Sequence, residues 1–236
     1  MRIIFSILFS CSLLCAQRTM FFGQNVAPAG SGISFVNECV SATAQGASST
    51  ITCGATIDIA AGNLVVVYAR TVGVTSSGVS DGSNTYTSAG SQCVDGATGV
   101  GIFYYAKNTS AVSAATITVT LPSPSAFRGM WVGQFSGLST SAPLDVGTTC
   151  TTGVSTAPTT SSFTTASANE LLIMGSLVGA LSQTYGAGSG YTLGATNPDG
   201  DMGTQYKTVA SIQTGVTAAM TLGASNPWQA SVVTFQ

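Results

Sequence analysis

The chain has 236 residues, of which 44% are hydrophobic and only 6% charged, with no histidine and a formal net charge of −2. That composition excludes intrinsic disorder, which requires charge-rich, core-poor sequence, and six Lys and Arg in total are too few for nucleic-acid binding. Charged residues make up about 25% of an ordinary soluble domain, so here the 33 Thr, 31 Ser and 28 Gly must cover surface that charge usually covers.

Residues 1–16 read as an export signal. Arg2 supplies the positive charge, Ile3 to Leu14 form a short apolar run, and Cys15-Ala16-Gln17 offers a small-residue cut site. The run falls short of the roughly 20 residues needed to cross a bilayer, so no membrane span is expected. Bulky Phe9 and Leu14 stand where lipid-attachment signals carry small residues. Residues 17–32 form an N-terminal extension. Its apolar Met20-Phe21-Phe22 suits a strand added to its own sheet or to a neighbour's.

From Ile33 onward, short β-rich runs alternate with Gly, Ser, Asn and Pro, and no helical period is sustained. Strands are predicted at 33–40, 49–53, 63–72, 85–89, 101–107, 116–121 and 129–136. After a Thr-rich segment at 148–165, which could be a glycosylated linker but whose Cys150 suggests that it is tied down against the fold, come 161–165, 170–178, 191–193, 203–209, 216–222 and 229–235. Strict alternation puts Ile117, Val119 and Leu121 on one face. The runs Leu64–Val67 and Leu171–Met174 are apolar on both faces, as strands covered on both sides are.

Four cysteines follow the signal: Cys39, Cys53, Cys93 and Cys150. An even count in an exported chain reads as disulfides. Three connectivities are open. Cys39 and Cys53 fall in adjacent predicted strands, which favours pairing them and leaves Cys93 with Cys150. A zinc site is disfavoured, because no CxxC spacing and no His is present.

The order of elements recurs. Asn63–Val67, Ser83–Thr87, Gly101–Tyr104, the run ending at Leu121, and Phe127–Phe135 are matched by Glu170–Met174, Gly188–Thr192, Gly203–Tyr206, the run ending at Leu222, and Trp228–Phe235. The expectation is an all-β, antiparallel β-sandwich of ten or more strands, one domain over 33–236, built from two repeat-related halves at about 33–147 and 160–236. Packing the halves face to face would bury both apolar surfaces, whereas the second half alone is marginal in size.

The motifs Ala61-Gly62-Asn63-Leu64, Asp81-Gly82-Ser83-Asn84-Thr85-Tyr86, Tyr105-Ala106-Lys107-Asn108, Ser136-Gly137-Leu138 and Ala142-Pro143-Leu144-Asp145 carry a resemblance. Over residues 33 to 236 the chain resembles a largely uncharacterised group of bacterial secreted β-sandwich domains, jelly-roll-like, found alone or within adhesin-like surface proteins. The resemblance implies a fold and an extracellular or cell-surface place. It carries no catalytic residues.

Chemistry is sparse. Without His, no Ser-His-Asp or Cys-His arrangement can form, and Lys107 and Lys207 do not follow a Ser by three positions. The acids Asp81, Asp145, Asp199 and Asp201 sit among turn-forming residues. Asp81, Asp199 and Asp201 are weak calcium candidates, since neither of their loops alone supplies the six to eight oxygens calcium takes. No cofactor is implied. Tyr185 and Tyr191 bracket a Gly-rich loop and are the candidates for stacking on a ligand, although aromatics in sandwiches usually fill cores. Trp131 and Trp228 read as core, and Asn108-Thr109-Ser110 is a formal glycosylation sequon. The expectation is a secreted, non-catalytic structural or adhesive protein, with a carbohydrate-binding module as the alternative. Its expected partners are copies of itself or a surface polysaccharide.

Overall fold

A computed structural model describes residues 32–42, 45–147 and 149–236. The expected export signal and all but the end of the N-terminal extension lie outside the described residues. Among the described residues there is no helix, and eighteen strands form antiparallel sheets.

In chain order these are β1 (Ser34–Val40), β2 (Gln45–Thr52), β3 (Ile57–Ile59), β4 (Leu64–Thr71), β5 (Gly78–Ser80), β6 (Thr87–Ser88), β7 (Cys93–Asp95), β8 (Gly99–Ala106) and β9 (Val112–Ala115). They continue with β10 (Thr118–Phe127), β11 (Gly129–Ser136), β12 (Thr149–Ser155), β13 (Glu170–Val178), β14 (Tyr185–Gly186), β15 (Thr192–Leu193), β16 (Met202–Val209), β17 (Thr221–Leu222) and β18 (Asn226–Phe235).

Two large sheets dominate. One has the order β1-β11-β4-β8-β6, with β7 also on β8; the other has the order β12-β18-β13-β16-β15. Smaller sheets are β2-β10-β5, β3-β9 and β14-β17.

The two apolar runs in the sequence become the central strands β4 and β13. Each buries both faces, and the faces feed different clusters. Leu64, Val66 and Tyr68 of β4 join Leu171, Ile173 and Leu177 of β13 in a cluster shared by the two large sheets, with Phe103, Trp131, Phe135 and Phe235. Val65, Val67 and Ala69 instead meet Ile51, Ile117 and Val119. Leu172, Met174 and Val178 meet Phe163, Met220 and Trp228. Every residue of β4 and β13 is buried, so the period-2 alternation of a half-exposed strand is absent where both faces are covered.

Two disulfides join Cys39 to Cys53 and Cys93 to Cys150, the pairing favoured by strand adjacency. The second ties β7, in the first large sheet, to β12, the edge of the second. The Thr-rich segment is tied down, as its Cys150 suggested: Thr149–Ser155 pairs along β18 from Val232 to Asn226. Its Thr-heavy alternation is that of an edge strand with one solvated face. The strand predicted at 161–165 forms one isolated bridge instead, Phe163 to Val216, preceded by a bridge from Thr159 to Ala219.

Candidate functional site

A polar cleft encloses about 300 Å³ and is lined by Ser83, Asn84, Thr85, Thr87, Tyr105, Lys107, Asn108 and Ser110. Three segments build it. The Thr87↔Tyr105 pairing of β6 with β8 makes its floor, and the turns at 81–86 and 107–110 make its walls.

The first wall is organised by Asp81. Its Oδ1 accepts the backbone N–H of Ser83 at 2.9 Å and of Asn84 at 2.7 Å; its Oδ2 accepts Asn84 Nδ2 at 2.8 Å and the Tyr86 hydroxyl at 3.0 Å. Burial alone would push the Asp81 carboxyl up. Its hydrogen bonds from Asn84, Ser83 and Tyr86 outweigh that and hold it below the usual carboxylate range. Asn84 then clamps the second wall, its Oδ1 accepting Ser110 N–H at 2.7 Å and its Nδ2 donating to Ser110 O at 3.4 Å. Buried Thr109 anchors that wall from beneath, donating to Ala60 O at 2.7 Å. Lys107 reaches across to donate to the Ser141 carbonyl.

The cleft thus presents an ammonium group, amides and hydroxyls beside one tyrosine ring, with no carboxylate on its surface. Groups of this kind hold a hydroxyl-rich ligand by fixed donors and acceptors. Sequence reasoning placed Asp81 in a turn and held it only as a weak calcium candidate, and it read Lys107 as an ordinary solvated lysine. The carboxylate is consumed by its own turn, and the β6–β8 pairing is what brings Thr87 and the 81–86 turn to the same cleft as Tyr105 and Lys107.

The other candidates lie elsewhere. Tyr185 and Tyr191 both pack against the cluster containing Trp228. The Tyr185 ring lies 2.5 Å from where a Cβ on Gly203 would stand, and Lys207 Nζ covers Tyr191 at 4.5 Å from its ring centroid. Burial pushes the Tyr191 hydroxyl up to about 12. Asp201 accepts from Arg70 Nη1 in a buried ion pair and from Asn197 Nδ2 at 2.6 Å. Burial pushes Asp201 above its ordinary value against the pull of Arg70 and Asn197, with Asp199 adding to the rise. Among the described residues, no group of three or more Cys, Asp or Glu gathers as a metal site would require. Trp131 and Trp228 are core, with their Nε1–H groups donating to Glu38 and Ser155.

No family model, no curated protein and no solved structure matches this chain. The two disulfides belong to an oxidising environment. Among the described residues, no helix is long and apolar enough to cross a membrane.

Proposed function

We propose that the protein is a secreted, non-catalytic adhesive protein of the cell exterior that grips a neutral carbohydrate in the cleft beside Tyr105 and Lys107. The observation that carries this reading is the pre-organisation of the cleft. Its Asp81, Asn84 and Thr109 spend their hydrogen bonds on holding the walls, which leaves Ser83, Thr85, Thr87, Asn108 and Lys107 around the opening. Fixed polar groups around an aromatic ring lower the ordering cost of binding.

The architecture in this proposal is a sandwich of two repeat-related halves, akin to the secreted jelly-roll-like group named above. The two large sheets have parallel strand orders, β1-β11-β4-β8-β6 and β12-β18-β13-β16-β15. Leu64 faces Phe135 across β4–β11 as Leu171 faces Phe235 across β13–β18. Tyr105 of β8 packs edge-on against Phe235 with centroids 5.4 Å apart, and Tyr206 of β16 packs edge-on against Phe135 at 5.2 Å. Each half lends a tyrosine to the other's phenylalanine, which supports duplication followed by face-to-face closure.

A structural role through self-association is the second reading, favoured by edge strands that carry exposed apolar side chains. Val154 on β12 is 72% exposed, and Phe35 and Val36 on β1 are 39% and 42% exposed. Glycan-array binding of wild type and Lys107→Ala, run beside a light-scattering mass, separates the readings. Carbohydrate binding weakened about tenfold or more in the variant supports the cleft. A monomer that binds no glycan overturns both readings, and an oligomer that binds none favours the second.

A further inference from the structure

A second polar cavity stands at the opposite end of the first large sheet from the Lys107 cleft. Gly129, beside this cavity, pairs with Arg70 at one end of β4, whereas Ala106, beside Lys107, pairs with Val65 at the other. We propose that the cavity built around Arg128 binds a single acidic sugar unit by its monoanionic head, a carboxylate or a sulfate ester. It encloses about 270 Å³ and is lined by Arg128 and by the hydroxyl residues Ser41, Ser48, Thr50 and Thr52. That volume lies just below the range of drug-sized sites, which suits one sugar ring.

The guanidinium is fixed before any ligand arrives. Its Nε–H donates to Thr50 O at 3.0 Å, and its Nη1 donates to Ser125 O at 3.2 Å and to Gly46 O. Ser125 is itself pinned to the chain leaving β4, its Oγ accepting Val72 N–H at 3.1 Å. The β2–β10 register slips between Thr120 and Ser125 and again before Phe127. Bulges of this kind disrupt the ladder and re-aim side chains beside functional sites; here three carbonyls converge on one arginine. They occupy Nε–H and both Nη1 hydrogens and leave Nη2 with no partner among the described residues. Arg128 is half-buried and lines the cavity, so Nη2 stays open to a ligand. A donor held in place in advance lowers the ordering cost of binding.

Charge selects the head group. Among the described residues Arg70 has Asp201 as its counter-ion, but no acid lines the Arg128 cavity. Main-chain carbonyls are neutral, so Arg128 keeps a full charge, and a guanidinium holds that charge at any ordinary pH. An anionic oxygen on Nη2 makes a charge-assisted hydrogen bond, stronger than a neutral one. One cation balances one negative charge; a phosphate monoester carries about −1.5 to −2 and would bring a surplus. The hydroxyls of Ser48, Thr50 and Thr52 around the guanidinium match a ligand that is itself rich in hydroxyls, which places the head on a sugar.

The test is titration of the full chain with glucuronate, glucose-6-sulfate and glucose at neutral pH and low ionic strength, read by calorimetry and by backbone amide shifts in NMR. At least one acidic sugar is expected to saturate a site, shift the amides of Ser48, Thr50 and Thr52, and bind about tenfold or more tightly than glucose. The acidic sugar that does so names the head group. Arg128→Gln should abolish the binding but also removes three backbone contacts, so Thr52→Glu is the decisive variant. It sets a carboxylate beside Arg128 at an exposed position and should abolish the binding without lowering the melting temperature. Saturable binding of neither acidic sugar overturns the proposal, as does glucose binding equally well. Binding that survives Thr52→Glu overturns it too, and its loss in Lys107→Ala would assign it to the Lys107 cleft. Neutral-glycan binding at that cleft stands or falls separately from these outcomes.

Discussion

The ring of Tyr68 lies directly over Gly175, its carbons 2.5 Å from where a Cβ on that glycine would stand. Tyr68 belongs to β4 and Gly175 to β13, so the absence of a side chain on one large sheet admits an aromatic ring from the other. The hydroxyl end of the same ring lies 2.6 Å from a Cβ built on Gly101. Tyr68 is wholly buried and cannot swing aside. Gly175→Ala is therefore expected to destabilise the protein by about 1–3 kcal/mol, the cost of overpacking a filled core. The urea midpoint should fall while the m-value holds. An unchanged midpoint would mean that the two sheets do not meet at this contact.

Gly99 is a backbone requirement of a different kind. Its φ is +107°, and a Cβ there would stand 2.3 Å from the Thr71 carbonyl oxygen. Gly99→Ala combines a disfavoured dihedral with a backbone collision and should cost on the order of 2–3 kcal/mol. Full stability in thermal denaturation would refute the strain argument.

Those glycines also mark what the sequence conveys and what it withholds. Strands β11 and β13 match their predicted bounds, Gly129–Ser136 and Glu170–Val178, because an apolar run between turn residues is a local signal. β12 was hidden, since Thr-Thr-Gly-Val-Ser is indistinguishable from linker until Pro227 to Val232 supply its partner. The two- to four-residue strands β3, β5, β7, β9 and β14 carry too little pattern to stand out. Leu64–Val67 announced two covered faces but not that each face belongs to a separate cluster. The Lys107 cleft was illegible because Thr87 and Tyr105 become neighbours only through pairing across the chain. Asp81 was visible as a turn residue, and its turn is what builds the cleft wall.

The buried carboxyl of Glu170 makes stability depend on pH. Glu170 is fully buried, and its Oε1 accepts Ser167 N–H at 3.0 Å. Burial raises the Glu170 pKa above its ordinary value, and the neighbouring Asp145 adds to the rise, against hydrogen bonds from Thr234 and Ser167. A carboxyl raised on folding binds more protons folded than unfolded. Its contribution is complete below the unfolded pKa of about 4.3 and is lost as pH rises through the higher folded value. Glu170→Gln mimics the protonated form and should remove this loss. Its melting temperature should exceed that of wild type at pH 7, with the difference shrinking toward pH 4. A difference that grows on acidification would refute this assignment.

The two disulfides are unequal. Cys39–Cys53 closes 14 residues and Cys93–Cys150 closes 57, so loop entropy assigns about 3 kcal/mol to the first and about 4 kcal/mol to the second. The second also fastens β7 to β12 across the two large sheets. The Cys93→Ala/Cys150→Ala double variant should therefore lower the guanidinium midpoint more than Cys39→Ala/Cys53→Ala does. The reverse order would mean that strain or residual unfolded-state structure outweighs loop length.

Whether the two large sheets unfold together can be read from the chain's only two tryptophans. Trp131 lies in β11 within the shared cluster, and Trp228 lies in β18 within the cluster on the far side of the second sheet. Single-tryptophan variants, Trp228→Phe and Trp131→Phe, each report one sheet by fluorescence. Phe235 is fully buried in the shared cluster, packed by Tyr105 from the first sheet. Phe235→Ala should cost about 3–5 kcal/mol by opening a cavity there. A shared core transmits that loss to both reporters, so both midpoints should move together and remain coincident, as a two-state transition requires. A shift seen by Trp228 alone would mean two independently stable lobes, with the Tyr105–Phe235 contact a surface between them.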